Sequence, residues 1–275
     1  MHDSPMLARR QRHFDTPGLR YDGHPDRPAG RAAPSTRMAV IYLIRHGQAA
    51  FGAAEYDRLS PIGERQARIV GHHIRRCLPQ LDGLCSGGMV RQDRTAEIAR
   101  EAMGEAPPPL RTVPAFAEYD HVALFKAYLP SFLASPDVEV ENLEELMADS
   151  KMLERALRHV LASWMNDLPH EDPPVLTWAE FCRRAADAME QLLADHESRA
   201  RLAVFTSGGI VTALLAKLLG LSTQRGLGLM VSLYNASITQ FYFPQRRPAS
   251  EGLLMGYNNI THLEMTGDRD LITFR

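Results

Sequence analysis

The chain has 275 residues, 45% of them hydrophobic and 23% charged, with a formal net charge of −2. That length carries one large α/β domain or two small ones, and the near balance of charge gives no reason to expect nucleic acid or an anionic membrane as partner. Cys77, Cys85 and Cys182 are odd in number and form no C-x-x-C pair, so they suggest neither a disulfide framework nor a zinc site and fit a reducing compartment, while no apolar run approaches the roughly 20 residues that span a bilayer.

Residues 1–37 carry Pro5, Pro17, Pro25, Pro28 and Pro34, many arginines and almost no periodic apolar pattern, which predicts a disordered tail. Asp3, Asp15, Asp22 and Asp26 speak against a transit peptide, and there is no apolar core for a secretory signal. The expected location is the cytoplasm, and the expected start of translation, or at least of the indispensable chain, is Met38. Residues 40–44 then read as a strand buried on both faces, stopping abruptly at Arg45-His46-Gly47. Ligands of open α/β sheets bind outside the carboxyl ends of such strands, so a cation, an imidazole and a glycine stand where a ligand is expected. Gly47, without a Cβ, lets an anionic group approach the backbone.

A loop over 49–59, with small residues around Phe51-Gly52, leads to Ser60-Pro61, favourable chemistry for a helix start. Ala67, Val70, Ile74 and Leu78 recur at helical spacing and Pro79 closes the element. His72 and His73 are adjacent, cannot share a helix face, and read as surface or packing residues. Leu84-Cys85 is a short second strand running into Ser86-Gly87-Gly88-Met89-Val90-Arg91. A guanidinium suits a phosphate because its planar fork donates two parallel bonds; the competing reading makes Arg91 and Arg94 solvated charges at a helix start, and Arg94 is assigned to the surface. A third strand over 110–113 leads to Glu118, Asp120 and His121, two carboxylates and a candidate for the pocket rim.

From about 122 to 199 the pattern is helical, with Leu146, Leu153, Leu157, Val160, Leu161, Trp164 and Leu168 on one stripe and Phe181, Ala185, Met189 and Leu192 on another. Pro173-Pro174 separates them, and Thr177-Trp178-Ala179-Glu180 has capping-box form. Both stripes are expected in the core and the acidic run over 137–149 on a solvated face. Residues 201–206 form the next core strand, ending in Ser207-Gly208-Gly209 and an apolar helix over 210–219. A glycine-rich turn before a helix is a natural anion site; Ser207 can donate one hydrogen bond there but supplies no charge. A strand running to Phe243, another over 253–257, and Asn258-Asn259-Ile260-Thr261-His262-Leu263 close the chain.

The Arg45-His46-Gly47 triplet at a strand end, Leu59-Ser60-Pro61-Ile62-Gly63-Glu64-Arg65-Gln66-Ala67 after it, Arg91 with Thr95 and Ala96, the Gly208-Gly209 turn and the terminal Asn…His262-Leu263 together resemble the histidine phosphatase superfamily, the phosphoglycerate mutase-like family, from residue 40 to about 263. The resemblance implies an α/β fold, a three-layer sandwich with a mostly parallel central sheet, within a domain over 38–275 that carries a helical cap insertion at about 122–199. It implies His46 as the nucleophile that becomes phosphohistidine, and Arg45 and Arg91 as the cations on the phosphoryl oxygens. Glu118 is the implied proton donor, with Asp120 the close competitor. Ser207 and Gly208 lie at the substrate, and neither metal nor cofactor is needed because the arginines supply the positive charge. The implied partner is a small phosphorylated substrate; its identity and the oligomeric state are not written in these motifs.

The sequence departs from the family pattern at Gly87-Gly88, where Ser-Pro is usual, at Met89 for Leu, and at Ser207, where the family has its second histidine. Loss of one preorganised donor to a developing charge commonly costs about 2.7–4 kcal/mol, or 10²–10³ in rate. Three readings therefore stand: a phosphatase with an altered pocket, a phosphate-binding protein that has lost turnover, and a mutase. The last is the weakest, because such enzymes carry Glu-x-x-Trp-Asn where this chain has Gln48-Ala49-Ala50-Phe51-Gly52. A serine hydrolase built on Ser207 would need glycine where Phe205 stands.

Overall fold

The first strand, β1, spans Met38–Arg45, and its alternating side chains serve two cores. Ile41 and Leu43 enter one apolar cluster, Tyr42 and Ile44 the other; period-two alternation with both faces buried yields a run that reads as continuously apolar. In the computed structural model the described residues are 38–50, 57–78, 80–104, 106–138, 140, 143–170, 176–197, 199–244 and 251–274. The tail expected over 1–37, the loop around Phe51-Gly52 and the breaks expected at Pro79 and Pro173-Pro174 lie outside them.

The other strands are β2 (Gly83–Ser86), β3 (Leu110–Thr112), β4 (Arg201–Thr206), β5 (Ile238–Pro244) and β6 (Leu253–Asn259). Among the described residues they form a six-stranded sheet in the order β3-β2-β4-β1-β5-β6. The pairs β1–β4, β4–β2 and β2–β3 are parallel, and β1–β5 and β5–β6 antiparallel. The helices are α1 (Pro61–Cys77), α2 (Val90–Met103), α3 (His121–Leu133), α4 (Leu143–Ala148), α5 (Ser150–Met165), α6 (Trp178–Ala194), α7 (Gly208–Leu219), α8 (Thr223–Ser232) and α9 (Thr261–Glu264). Val70 and Ile74 of α1 and Ala96, Ala99 and Met103 of α2 pack on Tyr42, Ile44 and Phe205. Phe181, Ala185 and Met189 of α6 and Ile210, Val211 and Leu215 of α7 pack on Ile41, Leu43 and Val204 from the opposite side. The expected three-layer α/β sandwich is what these two cores build.

Starts and stops follow local chemistry. Ser60 accepts the Gly63 amide at 3.1 Å and Pro61 follows it. Thr177 and Glu180 form the expected capping box. Two expectations differ from the structure. Leu157 and Leu168 are 37% and 48% exposed: α5 buries Ala156, Val160, Leu161 and Trp164 and stops at Met165, so Leu168 lies past the element whose period it was assigned to. Helix α8 has no counterpart in the sequence reading, because Gly226 and Gly228 weaken its helical signal.

Helices α3 and α5 are continuous with the α6–α7 core through Leu124, Tyr128, Val160 and Trp164, and Phe132, Leu146 and Ala156 form a small satellite cluster beyond it. Trp164 is fully buried and meets Tyr119 at 4.8 Å and Phe181 at 5.3 Å between ring centroids. This aromatic group anchors the segment after β3 that carries Glu118.

Candidate active site

The side chains singled out above converge at the carboxyl ends of the parallel strands, where open α/β sheets hold their ligands. His46 follows β1, Arg91 is in the first turn of α2, Glu118 lies beyond β3, and Ser207-Gly208 join β4 to α7. The His46 backbone is clasped on both sides: its N–H donates to Thr206 O at 2.8 Å, and its carbonyl accepts from the Ala236 N–H at 3.1 Å and from Asn235 Nδ2 at 3.4 Å. Gly47 N donates to Thr95 Oγ1 at 3.0 Å, and that hydroxyl donates to Arg91 O at 2.6 Å, so Thr95 ties the segment after β1 to α2. The loop also presses on α1. A Cβ on Gly47 would lie 2.4 Å from Gly63 O, and one on Gly63 2.2 Å from Gln48 O, so the two glycines are needed for close backbone approach.

The partners of the His46 ring define its tautomer. Nδ1 faces Gly47 O at 2.7 Å, and a carbonyl only accepts. Nε2 faces Arg91 Nε at 3.1 Å, and a guanidinium only donates. The proton therefore sits on Nδ1 and the lone pair on Nε2. Burial, then Arg91, then Arg45, hold the imidazole pKa well below 6.5, against the opposing Gly47 carbonyl. The ring, 6% exposed, is a neutral imidazole with its basic nitrogen turned toward a cation.

Arg91 is nearly buried and ion-paired through Nη1 to Asp57, whose other carboxylate oxygen accepts the Val90 N–H at 2.9 Å. Arg45 Nη1 donates to Leu233 O and, at 3.4 Å, to Phe274 O. The fields of both guanidiniums reach His46 and Glu118, and Gly208 lies against Arg45, its Cβ position 3.8 Å from Arg45 Nε. His121, the first residue of α3, is half-buried; burial and Arg91 lower its pKa while Asp120 and Asp57 raise it. Arg94 is on the surface, between Glu64 and Glu97.

The two carboxylates after β3 part company. Asp120 is exposed and accepts the Ala123 N–H at 3.0 Å as the cap of α3. Glu118 is half-buried and turned inward, Oε2 accepting the Gly209 N–H at 3.0 Å and Oε1 that of Tyr119 at 3.3 Å. Burial pushes its carboxyl above the usual range, against Gly209, Arg91, Tyr119 and Arg45, which lower it. A Cβ on Gly209 would come 2.1 Å from Glu118 Oε1, so glycine there makes room for this carboxylate. Arg184 of α6 braces the segment from behind, donating to Ala117 O at 2.5 Å with its guanidinium 4.8 Å from the Phe181 ring.

Ser207 is fully buried, and its Oγ accepts from Gln92 Nε2 at 2.7 Å. The same amide donates to Phe116 O at 3.4 Å, and its Oε1 accepts the Met89 N–H at 3.3 Å. A Cβ on Gly87 would lie 2.3 Å from Gln92 Oε1 and 2.4 Å from Phe116 O. The Gly87 departure, Gln92 and the Ser207 departure thus meet in one place. Sequence reasoning missed Asp57, Gln92 and Arg184; each is an ordinary polar residue whose partner comes from a distant segment. Among the described residues, no group of three or more His, Cys, Asp or Glu side chains is arranged to hold a metal ion, and no helix is long and apolar enough to cross a membrane.

A neutral histidine stands beside two arginines and an inward carboxyl at the strand ends of an α/β sandwich. The sequence profile of the histidine phosphatase superfamily (branch 1) matches residues 41–125 and 139–254, and the chain belongs to that family. No curated protein matches. Among solved structures, a phosphoglycerate mutase from Bacillus anthracis is 16% identical with a TM-score of 0.56, over 85% of this chain and 98% of that one. A mycobacterial glucosyl-3-phosphoglycerate phosphatase is 20% identical (TM-score 0.55; 80% and 99% covered). A phosphoserine phosphatase from Entamoeba histolytica is 19% identical (TM-score 0.54; 82% and 99% covered). At these identities the likeness is one of fold.

Proposed function

We propose that this protein is a phosphatase that hydrolyses a small phosphomonoester through a phosphohistidine on His46. The observation that carries the reading is the ring's hydrogen bonding: Nδ1 on a carbonyl and Nε2 on a guanidinium leave the nucleophilic lone pair on the side of the cations. In the first half-reaction Nε2 attacks phosphorus, a P–N bond forms, and the bond to the ester oxygen breaks as Glu118 gives that oxygen its proton. In the second, a water oxygen attacks phosphorus, the P–N bond breaks with its electron pair returning to Nε2, and Glu118 takes the proton of the water. Arg45 and Arg91 neutralise the phosphoryl oxygens through both steps. Gly208 borders that seat beside Arg45. Ser207, its oxygen already accepting from Gln92, retains its own proton to donate.

By their names, two of the neighbouring phosphatases act on glucosyl-3-phosphoglycerate and phosphoserine, which supports a small phosphorylated metabolite as the substrate here. A second reading, a phosphate-binding protein with little turnover, is favoured by one observation: Ser207 is sealed from solvent and brings no charge. Assay with para-nitrophenyl phosphate between about pH 5 and 8, beside the His46→Ala variant, separates them. The phosphatase reading expects turnover that falls about 10³-fold or more in the variant and an acid-labile phosphoprotein in the wild type. Phosphate binding without turnover favours the second reading, and turnover indifferent to His46→Ala removes the mechanism.

A further inference from the structure

The Arg91 Nε–H donates to His46 Nε2 at 3.1 Å, the very lone pair that the proposed reaction directs at phosphorus. A lone pair accepting a hydrogen bond is not available for attack, so Arg91 as found closes the nucleophile. What holds Arg91 there is Asp57. One carboxylate oxygen pairs with Arg91 Nη1, and the other accepts the N–H of Val90, the first residue of α2, at 2.9 Å. An anion with two oxygens on a guanidinium and a leading helix amide has the donor set that a phosphoryl group seeks. Here the anion is the protein's own side chain.

Exposure shows which member of the pair can leave. The Arg91 side chain is 7% exposed and that of Asp57 37%. Withdrawing Asp57 moves a half-solvated carboxylate into water while an arriving phosphoryl group takes its place, so the buried cation keeps an anion; withdrawing Arg91 would leave the anion seat without its cation.

We propose that Asp57 is a positioning residue that sets the phosphate affinity of the site: it occupies the anion seat of Arg91 at rest and yields that seat to the incoming phosphoryl group, which also draws Arg91 off His46 Nε2. The proposal rests on the phosphatase reading above. It assigns Asp57 a part in substrate binding that Arg91 and His46 alone do not require.

The test is Asp57→Asn, with Asp57→Glu as the charge-conserving control, each compared with wild type for inhibition by inorganic phosphate and for KM and kcat on para-nitrophenyl phosphate. Asp57→Asn is expected to lower the inhibition constant of phosphate and the KM by about fivefold or more, with kcat changing less than KM, while Asp57→Glu stays near wild type. An inhibition constant that is unchanged or higher in Asp57→Asn overturns the proposal, since a merely structural or Arg91-aligning carboxylate predicts weaker binding when lost. The wild type supplies a second readout independent of the variants' folding. Saturating inorganic phosphate is expected to shift the Val90 amide resonance as its Asp57 acceptor leaves, and an unmoved Val90 amide counts against the displacement. Wild-type protein that neither turns over nor binds phosphate sinks the phosphatase reading itself; normal wild-type activity with no tightening in Asp57→Asn sinks only this inference.

Discussion

At the scale of single residues, the site shifts two titrations in opposite directions, which suits the opposite jobs proposed for them. Burial and two arginines keep His46 neutral to well below pH 6.5, so the acid limb of kcat/KM is expected below that value rather than at it. Burial raises Glu118 above 4.5, and its donor form disappears as pH rises through the raised value, which places the basic limb there. Glu118→Gln is expected to abolish the basic limb and to slow an alkyl phosphate about 10²–10⁴-fold. In kcat/KM, which reports the first half-reaction, the same variant should slow para-nitrophenyl phosphate much less, because that leaving group departs without a proton; the second half-reaction, in which Glu118 takes the proton of water, is common to both esters and is read in kcat. Equal losses of kcat/KM on both esters would argue that Glu118 acts only as the cap of α7, the role its bond to the Gly209 amide would serve without chemistry. The resemblance singled out His46, Arg45, Arg91 and Glu118, each of which ends or follows a strand or opens a helix. Asp57 and Gln92 were not legible in the sequence: a carboxylate or an amide gains meaning from the group opposite it, and Arg91 and Ser207 are opposite only after folding.

At the scale of elements, the short α9 closes the back of His46. His262 Nε2 donates to Ala236 O at 3.0 Å, and the Ala236 N–H donates to His46 O at 3.1 Å. His262 Nδ1 is buried with no partner among the described residues, and its ring lies 5.1 Å from that of His73. Burial, then His73, push its pKa down to about 4, against the Ala236 carbonyl. The unfolded chain takes up this proton near the ordinary value of 6.5, the folded chain only near 4. Stability is therefore expected to fall as pH drops through that window, by up to about 3 kcal/mol from this residue alone. Urea unfolding at the two ends of the window checks the slope, and His262→Gln, which keeps a donor for Ala236 O and cannot titrate, should flatten it. A wild-type slope retained in the variant assigns the loss to other groups. The resemblance put His262 in a terminal motif; its tie to the His46 carbonyl runs through a residue 26 positions away in sequence, beyond what local spacing can report.

At the scale of the whole molecule, the central strand decides stability and site together. β1 lies between parallel β4 and antiparallel β5, and Leu43 is fully buried. Leu43→Ala is expected to destabilise the fold by about 2–5 kcal/mol, read as a lower urea midpoint with an unchanged slope. A cost below that range would mean the core collapses around the cavity. The six-stranded order β3-β2-β4-β1-β5-β6 explains why distant segments share one site. The parallel crossovers return the chain so that strands end on the same side of the sheet, and the carboxyl ends of β1 and β4 and the segment after β3 meet although His46 and Ser207 are 161 positions apart.

Strand ends, caps and short motifs are properties of a few consecutive residues, and through them the sequence by itself determined the family and, by that resemblance, the α/β sandwich. Helix α8 escaped because its glycines blur the period, and Leu157 and Leu168 were misplaced because periodicity does not say where a helix stops. Only the tertiary structure decided which nitrogen of His46 keeps its lone pair, that Asp57 holds Arg91 across it, and that Gln92 closes around Ser207. The physical reason is common to all three: a hydrogen bond or an ion pair is set by distance and direction between two groups, and those exist only once the backbone between them has been fixed.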